Sequence, residues 1–226
     1  MQKYNTISKN NKHISILQHK VQIVQDLPKN IEWSDNIGVD TETMGLQPRR
    51  DRLCVIQIFN PANSTAYVIE TPAQKIKAPN LVRVLKDNKI CKIMHFARFD
   101  LRVIKEYFNL DIKNFFCTHI ASVMARTYSS RHSLFILCSE FLNVTLNKTV
   151  TSSDWGNHGK LSQEQINYAA GDVLYLHLIK EKLIQMLQRE KRLKLCIDTI
   201  KCLTPRINLD IQGWKMDIFE HHRNFK

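Results

Sequence analysis

Three short apolar runs, NIGVDTE (36–42), LCVIQIF (53–59) and TAYVIE (65–70), follow one another closely, with turn-like NPANS between the last two. Runs of this length, bounded by turn residues, read as β-strands, and three in succession read as a meandering sheet. VQIVQDLP (21–28) reads as a further strand or a short helix, and HISIL (13–17) as a first strand behind a polar, basic stretch over 1–12 that is expected to fray. The pattern then changes. NLVRVLKDN (80–88), FDLRVIKEYFN (99–109), CTHIASVMARTY (117–128) and SLFILCSEFLN (133–143) have helical spacing, and KICKIMHF (89–96) reads as a short buried strand. Ser162 and Gln165 form the S-x-x-Q of a capping box, so a helix is expected from 163 to about 190. The polar stretch 147–160 reads as irregular, and Pro205, Gly213 and Trp214 are expected to break any regular element in the tail from 204. Strands first, then helices interleaved with strands, predict an α/β fold with helices on both faces of a sheet.

The 226 residues suit one domain, or one domain with a small appendage, and 43% hydrophobic content supplies a sizeable core. A formal charge of +12 points to an anionic partner: nucleic acid, a phosphorylated ligand or a membrane surface. The alternative is a merely solubilising, lysine-rich surface. The six cysteines make no C-x-x-C pair and most have apolar neighbours, which fits buried, reduced thiols better than disulfides or a zinc site. The N-terminus lacks the apolar core of a signal peptide, and no run of apolar residues is long enough to span a membrane. A cytoplasmic location is therefore expected.

The run NIGVDTE ends in Asp40 and Glu42. Side chains at i and i+2 of a strand share a face, so both acids point one way with Thr41 opposite. Two like charges so close resist ionisation. No Lys or Arg is adjacent to neutralise them, whereas a divalent cation would; the alternative is an exposed strand end with two solvated acids. Asp100 opens a helix after a buried strand, where an acid also complements the helix dipole. Tyr168 and Asp172, at i and i+4, share one face of the helix beginning at 163. Ala169, Ala170 and Gly171 are small enough to admit another group closely; a plain half-buried Tyr and Asp is the alternative.

In this order, D-x-E, an Asp opening a helix, then Y-x-x-x-D on a late helix, the residues resemble the signature of the DEDDy 3′–5′ exonucleases. The blocks DTETMGLQPRRDRLCVIQI, KIMHFARFDLRVI, FCTHIASVMARTYSSRH, TSSDWG, LSQEQINYAAGDVLYLH and LDIQGWKMDIF are similar to short ribonuclease D relatives of bacteria, most narrowly the nanoRNase C family. The resemblance covers most of residues 36 to 220. It implies a ribonuclease-H-like (DnaQ-like exonuclease) mixed sheet flanked by helices. The expected organisation is a single domain over 1–226, with a catalytic core at about 20–195, a C-terminal extension over 196–226 and no HRDC domain. It also implies two Mg²⁺ ions, for which Mn²⁺ substitutes, release of 5′-mononucleotides from short RNA, and diribonucleotides, 5′-phosphorylated, as the preferred substrate. A homo-oligomer, an octameric ring, is part of the same implication. A general ribonuclease D-like exonuclease trimming longer RNA, such as tRNA precursors, or DNA is the alternative enzyme. A non-catalytic nucleic-acid-binding module would be favoured only if one of the five residues were missing, and all five are present.

On this resemblance Asp40 bridges both ions, Glu42 and Asp172 hold the nucleophile-side ion, Asp100 acts on the leaving-group side and Tyr168 hydrogen-bonds the attacking water. Candidate substrate contacts are Thr41, Leu46, His95, Phe99, Arg131 and His132. Leu46 either wedges against a terminal base or is a core leucine. His95 either lines the cleft or is a satisfied core histidine. Phe99 and Phe96 either stack on bases or pack inside. Arg131 and His132, with Arg126 and Lys148 behind them, either grip a 5′ phosphate or are solvated. SSDW (152–155) borders the cleft, with Trp155 as its anchor, and Trp214 and Phe219 are expected to pack on the domain or on a neighbouring subunit. Departures from the family pattern are Cys117, where full-length ribonuclease D has an acid, Ser130 and Ser133 around the Arg-His pair, and the loop carrying His158 and Gly159.

Overall fold

The structure, a computed structural model, describes residues 3–4, 19–47, 50–146, 153–214 and 218. The strand expected at 13–17, Lys148, Ser152 and Phe219 lie outside the described residues. The strands are β1 (Lys3–Tyr4), β2 (His19–Val24), β3 (Asn36–Thr43), β4 (Leu53–Asn60), β5 (Thr65–Glu70), β6 (Cys91–Met94) and β7 (Phe115–Cys117). They form one sheet in the order β1-β2-β5-β4-β3-β6-β7. Six strands make the sheet proper, and β1 adds a two-residue antiparallel edge to β2. β3, β4 and β5 form the antiparallel meander the sequence predicts. β2 runs parallel to β5, β6 parallel to β3 and β7 parallel to β6, so the sheet is mixed.

Parallel neighbours need crossovers, and α-helices lie in two of the three, those from β3 to β6 and from β6 to β7. α1 (Pro79–Lys86) links β5 to β6, and α2 (Arg98–Phe108) links β6 to β7. Five more helices follow: α3 (Thr118–Ala125), α4 (Leu134–Leu142), α5 (Gln163–Leu174), α6 (Leu176–Arg189) and α7 (Leu193–Lys201), with α8 (Leu203–Gln212) after them. Every residue of β4 is buried, as expected of a strand covered on both faces. α5 and α6 pack on β3, and α2 packs on β3 and β4. Ile37, Val39, Ile56, Ile58 and Leu81 are sealed in this core, each such side chain contributing about 1.5–3 kcal/mol. Four of the six cysteines, Cys54, Cys117, Cys138 and Cys196, are buried, and all six are free thiols. Among the described residues no helix is long and apolar enough to cross a membrane.

Two expectations need correction. The helix expected over 163–190 is two helices, broken at Tyr175, whose φ of −106° and ψ of −3° depart from the ideal helix. No Gly or Pro marks the break, and both halves bury one apolar stripe, so the periodicity runs through it. The tail is also helical where a break was expected. Pro205 is the third residue of α8, in the first turn, where a backbone N–H has no partner within the helix. Gly213, at φ +92°, then ends α8 in the left-handed conformation. Cys196, Ile200, Leu203 and Ile207 join the same core as the sheet, so α7 and α8 are built into the domain rather than appended to it.

Candidate active site

The site gathers at the C-terminal end of β3. Gly38 on that strand explains how a helix comes so near: a Cβ there would lie 2.3 Å from the carbonyl oxygen of Val173 on α5. Glycine at this position lets α5 lie against β3, and Asp172, one residue from Val173, is carried with it. The helix start is fixed independently. Gln165 N donates to Ser162 Oγ at 3.2 Å and Ser162 N donates back to Gln165 Oε1 at 2.9 Å, the expected capping box. Gln165 Nε2 also donates to Ser153 Oγ and to the Asp154 carbonyl, which ties the preceding loop to the helix. Gly171, by contrast, faces open space, so the expected close approach is made by Gly38 instead.

Asp40, Glu42 and Asp172 each offer a carboxylate oxygen, and these oxygens all lie within 4.8 Å of one another. Asp100, in the first turn of α2, is buried beside them and accepts a hydrogen bond from Thr41 Oγ1 at 2.6 Å. It stands outside the close trio, but its charge acts on Asp40 and Glu42. Burial holds Asp40 well above the ordinary carboxylate range, with the charges of Asp100, Asp172 and Glu42 adding to it. Burial, then Asp172 and Asp100, push Glu42 up to about 8. Burial alone is the main cause that brings Asp100 to about 7 and Asp172 to about 6. Hydrogen bonds, not cations, are what oppose these shifts: Thr41 at Asp40, Gln57 at Glu42 and Tyr168 at Asp172. Three hard oxygen donors, half-buried at the base of a cleft and with no cation among the described residues to neutralise them, fit Mg²⁺ or Mn²⁺.

Tyr168 hydrogen-bonds Asp172, and burial together with the charges of Asp172 and Glu42 raises its phenol well above the usual value. It therefore stays protonated in this setting and acts as a donor. A cleft of about 480 Å³ opens over the acids, walled by Thr41, Leu46, Phe99, Ser153, Trp155 and Tyr168 as well as by the trio. Leu46 is 77% exposed, which excludes the core reading. Phe99 is half-buried, with the Arg102 guanidinium 5.4 Å from its ring centroid. Trp155 is buried against Cys54, Val55, Val68 and Ala169, anchoring its loop.

Other candidates lie away from the wall of this cleft. His95 Nδ1 is 2.9 Å from Thr118 Oγ1, and burial, then the neighbouring His119 and His132, lower it to about 3. His132 Nδ1 is 2.9 Å from Ser122 Oγ, and Arg131 is exposed. Arg126 is not available to a phosphate. It is 1% exposed, donates to the Arg131 carbonyl at 2.6 Å and pairs with Glu140, so it braces the Arg131–His132 turn from inside. Phe96 is 53% exposed at a φ of +65° and meets His119 edge-on at 5.1 Å, which rules out core packing. Sequence reasoning missed Gln57, whose Nε2 donates to Asp40 Oδ2 at 2.6 Å. Its one visible signal was a polar residue inside the apolar run LCVIQIF.

Comparison with known proteins agrees with this geometry. A family model described as 3′-5′ exonuclease matches residues 11–188. Ribonuclease D of Granulibacter bethesdensis is 31% identical over 157 residues, 70% of this chain and 39% of that protein. This chain spans about two fifths of the length of the curated ribonuclease D relatives it matches. Among solved structures, Brucella melitensis NrnC bound to pGG is 47% identical with a TM-score of 0.85, covering 91% of this chain and 100% of that one. Brucella melitensis NrnC with bound Mg²⁺ gives 47% and 0.83, over 90% of this chain and 100% of that one. From its fold, its cleft and these relatives alike, the chain belongs to the 3′–5′ exonuclease family, as a ribonuclease D-like member with a DnaQ-like fold.

Proposed function

We propose that this chain is a metal-dependent 3′–5′ exoribonuclease that hydrolyses short RNA, foremost 5′-phosphorylated diribonucleotides, to 5′-mononucleotides in the cytoplasm. The observation that carries the reading is the convergence of Asp40, Glu42 and Asp172 beneath the cleft. The NrnC structure described as bound to pGG, matched along its whole length, supports the short substrate. Two divalent cations held by these acids would activate water and offset charge on the leaving oxygen. Asp40, Glu42 and Asp172 would hold them, together with Asp100, whose carboxylate is oriented by the Thr41 hydroxyl. Tyr168, on the cleft wall beside Asp172, would hydrogen-bond the attacking water, orienting it or helping to take its proton. Leu46 and Phe99, on the cleft wall, supply apolar surface for the bases, and Arg131 and His132 remain candidates for the 5′ phosphate. Exposed apolar side chains on the neighbouring helices α3 and α7, Val123, Leu195 and Ile197, support self-association, an octameric ring by resemblance.

The test compares turnover of a labelled 5′-phosphorylated diribonucleotide and a seven-mer. A preference of about tenfold or more in kcat/KM for the dinucleotide, ~1.4 kcal/mol of discrimination, is expected. Equal rates would favour the second reading, a general exonuclease on longer RNA or DNA, toward which the +12 charge leans.

A further inference from the structure

We infer that Gln57 is a positioning residue for the metal-binding carboxylates, one that holds Asp40 and Glu42 in place without supplying a competing charge. The inference rests on the metal reading of the cage given above. Gln57 stands directly across from Asp40 in the β3–β4 ladder and is fully buried. Its Nε2 donates to Asp40 Oδ2 at 2.6 Å, and the same amide is near enough to Glu42 to oppose the rise of its carboxyl. An amide nitrogen carries two N–H donors, matching the two carboxylates. Reversing the amide would turn its oxygen onto the acids, so the acids themselves set its orientation.

The other end of the amide shows what this arrangement sacrifices. Gln57 Oε1 is buried and has no hydrogen-bond partner among the described residues. An unpaired buried acceptor destabilises a fold, and an apolar residue, like the rest of LCVIQIF, would avoid that penalty. Local stability therefore does not explain a glutamine here; the carboxylates do. Lys or Arg at 57 would satisfy the same oxygens, but its charge would cancel the repulsion that a divalent cation relieves and would compete with the cation directly. An apolar residue would leave both carboxylates free to rotate. A neutral donor orients them and leaves their charge for the metal. Hydrogen-bond partners of metal ligands typically set affinity by about 10–100-fold.

Binding of Mn²⁺ alone, followed by electron paramagnetic resonance and calorimetry, tests this without a turnover measurement. The proteins compared are the parent, Gln57→Leu and Gln57→Lys, each with its thermal midpoint in chelator. Gln57→Leu is expected to bind Mn²⁺ about 10–100-fold more weakly with its circular dichroism unchanged. Gln57→Lys is expected to melt in chelator at or above the parent temperature, because the ammonium neutralises the acids, and to bind Mn²⁺ more weakly still. If Gln57→Leu does not fold, the lysine variant carries the test alone. Parent-like Mn²⁺ affinity in either folded variant overturns the role of Gln57 while leaving the metal site standing. A parent protein that binds no Mn²⁺ overturns the metal reading, and this inference with it.

Discussion

Asp40 is half-buried among three other acids, and among the described residues no cation offsets its charge. A residue chosen for stability alone would not be an aspartate there. Asp40→Asn keeps the shape and the capacity to hydrogen-bond while removing the charge that opposes folding and binds metal. Activity on a dinucleotide is expected to fall at least about a thousandfold, in the range seen when an essential catalytic group is removed. The thermal midpoint in chelator is expected to rise. Kinetics and calorimetry on the same preparation check both, and retained turnover would remove Asp40 from the cage. The gathering of Asp40, Glu42 and Asp172 in one place was legible in the sequence because residue types and local spacings carry the information: i and i+2 on a strand, i and i+4 on a helix. Gln57 was not legible, because its meaning depends on lying across a sheet from a residue 17 positions away. The same holds for Arg126, which reads as one more basic side chain until Glu140 and the Arg131 carbonyl are seen around it.

At the scale of elements, the trio exists because α5 touches β3, and Gly38 permits that contact. In Gly38→Ala the new Cβ would meet the Val173 carbonyl oxygen at 2.3 Å and its carbonyl carbon at 3.1 Å, backbone that has little room to give. The helix must move outward, taking Asp172 and Tyr168 from Asp40 and Glu42. A loss of about 1–3 kcal/mol is expected from the overpacking, with a fall in Mn²⁺ affinity beyond what the stability change predicts. Denaturant unfolding beside metal titration separates the two, and parent-like metal affinity would show that α5 does not need this contact. The sequence announced the glycine within a strand run but not its opponent. Elements with their own local chemistry were legible: the meander through its apolar runs, α5 through its capping box. Those decided by tertiary packing were not. Tyr175 breaks a continuous apolar stripe without a breaker, β7 is three residues long, and Pro205 is tolerated because it falls in a first turn.

Over the whole molecule, the cage makes folding and metal binding compete through protons. In the metal-free protein Glu42 is raised to about 8, Asp100 to about 7 and Asp172 to about 6, with Asp40 also raised. Carboxyls raised on folding bind more protons in the native state, so their contribution is full at low pH and is lost as pH climbs through the folded values. His95, lowered to about 3, has the opposite sign: the unfolded chain binds its proton first, so stability grows as pH rises from about 3 to the ordinary histidine value of 6.5. Buried Lys92, lowered to about 8 mainly by desolvation, adds stability only above that value. Between pH 6.5 and 8 the histidine is already neutral and the lysine still charged, and Glu42 and Asp100 dominate. Metal-free protein is therefore expected to lose thermal stability across that window. Saturating Mg²⁺ replaces the protons, so its stabilising effect, about 2.7 kcal/mol at a hundredfold excess over Kd, should grow with pH as fewer protons compete. Calorimetric midpoints at pH 6.5 and 8, with Mg²⁺ and with chelator, measure the two slopes. An Mg²⁺-induced shift that is equal at both pH values would mean the cation binds somewhere other than these raised carboxyls.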